Sequence, residues 1–136
     1  QLVWYQDESN NVVIVKEATQ GYESAEPIII QGHMDMVCEK EKGVTIDFEK
    51  DGLKLYVDGD FLKAEGTTLG GDDGIAVAYA LALLESSEIA HPKLEVVITV
   101  DEEIGMLGAD AIDLSMLTGE TCSPTWTEIV AYGDRT

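Results

Sequence analysis

The sequence predicts an α/β fold, a mixed and mostly parallel sheet packed between helices, and three observations carry that expectation. Two apolar runs, "III" at 28–30 and "VVITV" at 96–100, are too uniformly apolar for half-exposed strands and suit strands covered on both faces. Between them lies "GIAVAYALALLESSE" at 74–88, dominated by strong helix formers. Strand, helix, strand and helix in this order suit crossover connections within one sheet.

The first element, "NVVIVK" at 11–16, is short and β-branched, and Asn10 with Asn11 are turn formers, so a strand follows a hairpin-like turn. A polar loop, "EATQGYESAEP", ends at Pro27, which opens "IIIQ". Residues 53–57 ("LKLYV") and 61–64 ("FLKA") flank Asp58, Gly59 and Asp60, a hairpin signal. Gly70 and Gly71 loosen the chain, and either Asp72 or Asp73 can cap a helix running to Ser86. That helix is apolar almost all round and is expected to be buried. His91 and Pro92 break the chain before "KLEVVITV" at 93–100, and Gly105 and Gly108 lead into "ADAIDLSML" at 109–117, a second, short helix.

At 136 residues and 45% hydrophobic, the chain has room for one domain or part of one. Eight Lys plus Arg against 27 Asp plus Glu give a formal charge of -19, which repels nucleic acid and anionic membranes but tolerates divalent cations. Neither partner class is expected. No apolar stretch reaches the ~20 residues of a membrane span, and no secretory leader opens the chain. Cys38 and Cys122 stand far apart without a CxxC spacing, which suits free thiols in a reducing compartment. The expected location is the cytoplasm.

Three clusters could carry chemistry: His33 with Asp35, Asp72 with Asp73, and Asp101 with Glu102 and Glu103. Each lies at a strand end or a helix entrance, where open α/β sheets bind ligands. If runs 28–31 and 94–100 are parallel neighbours, the first and third clusters share a sheet edge, and the loop before the helix brings the second there. In extended backbone His33 and Asp35 share a face, with Met34 and Met36 turned into the packing. A metal-bound imidazole gives its other N–H to a carboxylate or carbonyl, which Asp35 could supply. Each cluster also has a plainer reading: a satisfied strand-end histidine, a turn with its cap, and a solvated acidic loop. Mutual repulsion among three acids at a strand mouth nevertheless calls for a cation, and adjacent glutamates suit a metal ligand beside a base.

Taken together, "IIIQGHMDMVCEK", "AEGTTLGGDDGIAVAYALALLES" and "HPKLEVVITVDEEIGMLGA" resemble the aminoacyl-histidine dipeptidases, also called Xaa-His or bacterial carnosinase-type dipeptidases, within the co-catalytic zinc exopeptidases. The resemblance runs from about residue 3 to residue 118, in order and spacing. It implies an α/β/α sandwich, here incomplete, and hydrolysis of Xaa-His dipeptides by two zinc ions, with manganese or cobalt as substitutes. It also implies roles for five residues: His33 and Glu103 as ligands of different zinc ions, Asp72 bridging both, Asp35 orienting His33, and Glu102 as general base. Asp73 falls where relatives vary between Asp and Asn.

The resemblance further implies what this chain lacks: another aspartate ligand, a C-terminal histidine ligand, and a lid domain through which full-length relatives dimerise. Residues 1–118 are thus expected to be an N-terminal part of the catalytic domain, inactive alone. From about Gly119, "GETCSPTWTEIVAYGDRT" departs from the family. The codons AAC-CTG-GAC (Asn-Leu-Asp, the missing ligand segment) read out of register give ACC-TGG-AC, and Thr125, Trp126 and Thr127 stand where that segment is due. A frameshifted tail over 119–136 is the expectation. The rival readings are a deacylase-type amidohydrolase with the same metal core, and a non-catalytic acidic module for Ca²⁺ or Mg²⁺. Histidine at 33 favours zinc.

Overall fold

The computed structural model describes residues 2–123. In chain order the elements are β1 (Leu2–Gln6), β2 (Val12–Lys16), β3 (Ile28–His33), β4 (Leu55–Asp58), β5 (Phe61–Ala64), α1 (Gly71–Glu85), β6 (Leu94–Thr99), α2 (Leu107–Ala111) and β7 (Thr121–Ser123). Five strands form one sheet in the order β1-β2-β6-β3-β7, and β4 and β5 form a separate hairpin around Gly59 and Asp60. β1 with β2 and β2 with β6 are antiparallel, while β3 pairs in parallel with both β6 and β7. The predicted α/β class and the parallel pairing of the two apolar runs are therefore observed.

β6 is the centre of the sheet, and all six of its residues are buried. Their side chains alternate between faces. Leu94, Val96 and Ile98 join Ile30, Ala80 and Leu84 in one cluster, against which Val12, Ile14, Ile28, Val77 and Leu83 pack. Full burial of each large aliphatic side chain contributes roughly 1.5–3 kcal/mol. This cluster clamps α1 to β3 and so fixes the loop at residues 70–73 over the carboxyl end of the sheet.

α1 is not buried all round. Ala76, Ala80 and Leu84, spaced four apart, face the core, while Ile75, Tyr79 and Leu81 are exposed. Its extended contact among the described elements is with β3, so only one side of an evenly apolar helix is covered. The second helix also differs from expectation, running over Leu107–Ala111 rather than through residue 117. Beyond it the Asp113 carboxylate accepts the Ser115 N–H at 2.9 Å, a local bond that competes with helix continuation.

Glu95, a charged residue in the most buried strand, is fully buried. Its carboxylate accepts hydrogen bonds from Lys93 Nζ (2.8 Å), Thr118 Oγ1 (2.7 Å), Thr118 N (2.9 Å) and Gly119 N (2.9 Å). It thereby ties the start of β6 to the backbone that leads into β7.

Candidate functional site

Because β3 and β6 run parallel in register, with His33 opposite Thr99, the residues after both strands emerge at the same sheet edge. Thr99 O accepts the Met34 N–H at 2.9 Å and so continues the pairing one step past β3. Here the chain leaves the ladder, and two-residue alternation stops governing side-chain direction. Met34 is exposed, not turned into the packing, whereas Met36 is half-buried against Gly70.

His33 is buried, with its ring between two groups of acceptors. Nδ1 lies 3.1 Å from the Asp35 backbone carbonyl, which can only accept, so Nδ1 carries hydrogen. The Asp35 carboxylate lies at 3.5 Å from the same nitrogen. Nε2 points outward, 3.3 Å from Asp72 Oδ1 and 3.8 Å from Glu102 Oε2. Burial disfavours the charged ring, but the Asp72 carboxylate, the Asp35 carbonyl, Glu102 and Asp73 outweigh it and raise the His33 pKa above its ordinary 6.5.

Asp35 links two clusters. Its Oδ2 accepts the Glu103 N–H at 3.1 Å, so β3 and the acidic loop after β6 are joined by one carboxylate. Burial pushes its pKa up, yet the N–H groups of Glu103 and Glu102 and the His33 charge hold it below the usual carboxylate value. Glu103 contributes this backbone N–H, and the residue, with Asp72, lines a shallow cleft of about 220 Å³ that also includes Val37, Thr68, Leu69, Gly70 and Gly71.

The two aspartates divide their work. Asp72 is exposed and faces His33, whereas Asp73 is buried, and its Oδ2 accepts the His33 N–H at 3.2 Å while its Oδ1 has no hydrogen-bond partner. Both aspartates have non-helical backbone angles, and Asp73 ties the start of α1 to β3. Desolvation, helped by Asp72, raises its pKa. Gly32 makes room for it, because a Cβ there would lie 2.9 Å from Asp73 Oδ2 and 3.0 Å from the Ala76 methyl. Asp73→Ala strands the buried His33 N–H and is expected to cost about 2 kcal/mol in urea unfolding. Asp73→Asn keeps an acceptor and is expected to cost less than half as much. Equal losses in the two variants would contradict this role.

One imidazole nitrogen and two carboxylates converge, Asp35 Oδ1 is buried without a hydrogen-bond partner, and none of the described Lys or Arg residues pairs with Asp35, Asp72 or Glu102. Such donors suit zinc or a similar transition ion. Among the described residues, however, no group of three or more His, Cys, Asp or Glu is disposed to hold an ion. The site therefore offers part of a coordination shell.

Sequence reasoning reached His33, Asp35, Asp72, Glu102 and Glu103 but missed what Asn11 and Glu95 do. Asn11 resembles any turn residue before a strand, and Glu95 any acid in an alternating run, so nothing local marked either. The segment at Thr125, Trp126 and Thr127 lies outside the described residues.

The mixed sheet, with a histidine and carboxylates gathered at the carboxyl ends of its parallel pair β3 and β6, matches that of solved peptidases. An aminoacylhistidine dipeptidase from Vibrio alginolyticus superposes with a TM-score of 0.85 at 41% identity, over 89% of this chain and 25% of that one. The aminopeptidase PepT from Bacillus cereus superposes with a TM-score of 0.67 at 26% identity, over 89% and 32%. The chain belongs to peptidase family M20/M25/M40, whose model matches residues 29–123. It is 47% identical over 103 residues to the cytosol non-specific dipeptidase of Escherichia coli (strain K12), spanning 76% of this chain and 21% of that relative. No described helix is long and apolar enough to cross a membrane.

Proposed function

We infer that residues 1–118 form an N-terminal part of the catalytic domain of a two-zinc dipeptidase that cleaves short peptides, with Xaa-His dipeptides as the favoured substrates. The observation that carries this reading is the convergence of His33, Asp72 and Glu102, joined through Asp35 to the loop that bears Glu103. His33 Nε2, Asp72 and Glu103 would hold metal, with Asp72 between two ions. The Asp35 backbone carbonyl and carboxylate orient the imidazole from behind. When bound, zinc, or manganese or cobalt in its place, would supply Lewis acidity for the scissile carbonyl and for a water. Glu102, half-exposed at the mouth of the site, takes the water proton and returns one to the leaving amine. The peptide lies in the cleft beside Asp72.

The cytosolic E. coli relative supports a cytoplasmic location, and the -19 charge argues against nucleic-acid or membrane partners. Dimerisation through a lid domain and a frameshifted tail over 119–136 complete the proposal.

Two assays on carnosine with zinc or manganese test it. The 136-residue chain is expected to show no turnover, because its ligands do not complete two shells; turnover that disappears in Glu102→Gln would overturn that claim. The parent protein from the intact gene is expected to hydrolyse carnosine and to lose roughly 10²- to 10⁴-fold in kcat with Glu102→Gln. A parent protein that cleaves no dipeptide, or is indifferent to that substitution, would overturn the peptidase reading.

A further inference from the structure

Asn11 is buried, although it stands at a turn far from the site in sequence and upstream of the residues matched to the family, 29–123. Its side-chain amide holds both ends of the acidic loop. Oδ1 accepts the Val100 N–H at 3.1 Å, and Nδ2 donates to Gly108 O at 2.9 Å. Nδ2 also donates to Asp7 Oδ2 at 2.7 Å, while the Asn11 backbone N–H donates to Asp7 Oδ1 at 2.9 Å. Both amide hydrogens and the acceptor oxygen are therefore engaged.

The loop so closed contains Glu102 and Glu103. Its ends also meet through Gly108 N–H donating to Val100 O at 3.2 Å, and a Cβ at Gly108 would lie 2.2 Å from that oxygen and 2.6 Å from Asn11 Oδ1. Asp101 and Met106, on either side of the glutamates, have φ of 56° and 59°. Left-handed backbone at non-glycine residues is retained where surrounding contacts over-determine it. Aspartate at 11 would lack the donor for Gly108 O, and leucine or alanine would lack all three bonds.

We propose that Asn11, braced by Asp7, is a positioning residue: it clamps Val100 to Gly108 and so holds Glu102 beside His33 and Glu103 on Asp35. The link to His33 rests on the functional reading above, and the experiment separates the two. Amide hydrogen exchange and Zn²⁺ calorimetry are compared for the 136-residue chain, Asn11→Ala and Asp7→Ala. In Asn11→Ala the amides of Gly105, Met106, Leu107 and Gly108 are expected to exchange at least about tenfold faster, with Gln31 and Val97 unchanged. Zn²⁺ affinity is expected to fall about tenfold, as for other groups that orient ligands. Asp7→Ala is expected to affect the same amides less, and it decides the matter if Asn11→Ala does not fold. Unchanged loop exchange, uniform acceleration across the chain, or a loosened loop with unaltered Zn²⁺ affinity would each overturn the proposal. If the unsubstituted chain binds no Zn²⁺, the metal reading fails, and the exchange pattern alone decides the clamp.

Discussion

Glu95→Ala is expected to destabilise the chain by about 3 kcal/mol, the low end of the cost of breaking a buried, hydrogen-bonded charge pair. The low end applies because Lys93 is partly exposed and Thr118 lies at the surface, so both recover water, whereas the half-buried Gly119 N–H loses its acceptor. Burial works to raise the Glu95 pKa, but Lys93, Gly119 and Thr118 together prevail and lower it from 4.5 to about 2. A folded value below the unfolded one means stability present in full above pH 4.5 and lost as pH falls towards 2. The whole difference is about 3 kcal/mol, which agrees with the cost expected from truncation. Urea unfolding of the chain, Glu95→Ala and Glu95→Gln between pH 7 and pH 3 measures this. The Gln variant is expected to be the less destabilised of the two and to lack this share of the acid sensitivity. A Gln variant as stable as the parent at pH 7 would show that the charge contributes nothing.

The second large effect concerns metal. Among the described residues His33 supplies the one imidazole at the sheet edge, and its Nε2 is the atom that Asp72 and Glu102 surround. His33→Ala is expected to lower Zn²⁺ affinity by at least about a hundredfold, above the roughly 10- to 100-fold range for losing an orienting partner. Calorimetric titration of the 136-residue chain and the variant gives the ratio. Binding is also expected to strengthen as pH rises, because the ion must displace the proton that the neighbouring carboxylates favour on the ring. Identical affinities for the two chains would remove His33 from the site.

The elements that sequence made legible are those whose signal is periodic or punctuated. The runs at 28–30 and 96–100 marked β3 and β6 because strands covered on both faces read as unbroken apolar text. Gly59 and Asp60 marked the β4–β5 turn by their chemistry. The three acidic or histidine clusters were legible because each follows such an element, and parallel pairing of β3 with β6 then sets two of them side by side. What stayed hidden depends on partners remote in sequence. Nothing near Glu95 announces Thr118, and nothing near Asn11 announces Val100 or Gly108. The start of α1 lay between these cases: two adjacent aspartates were both available as caps, and it took the close approach at Gly32 to assign the buried one to the backbone and leave the other facing His33.

Among the described residues β1 has one neighbour in the sheet and all five of its own residues are exposed, so Leu2, Val3, Trp4 and Tyr5 offer an apolar ribbon along a sheet edge. Such an edge is a template for another strand. Against it stands the charge of -19, which keeps like chains apart at distances of about the Debye length, roughly 10 Å at 0.1 M salt. Colloidal behaviour is thus governed by electrostatic repulsion rather than by a closed surface, and added salt or added zinc weakens the same barrier by screening or by neutralisation.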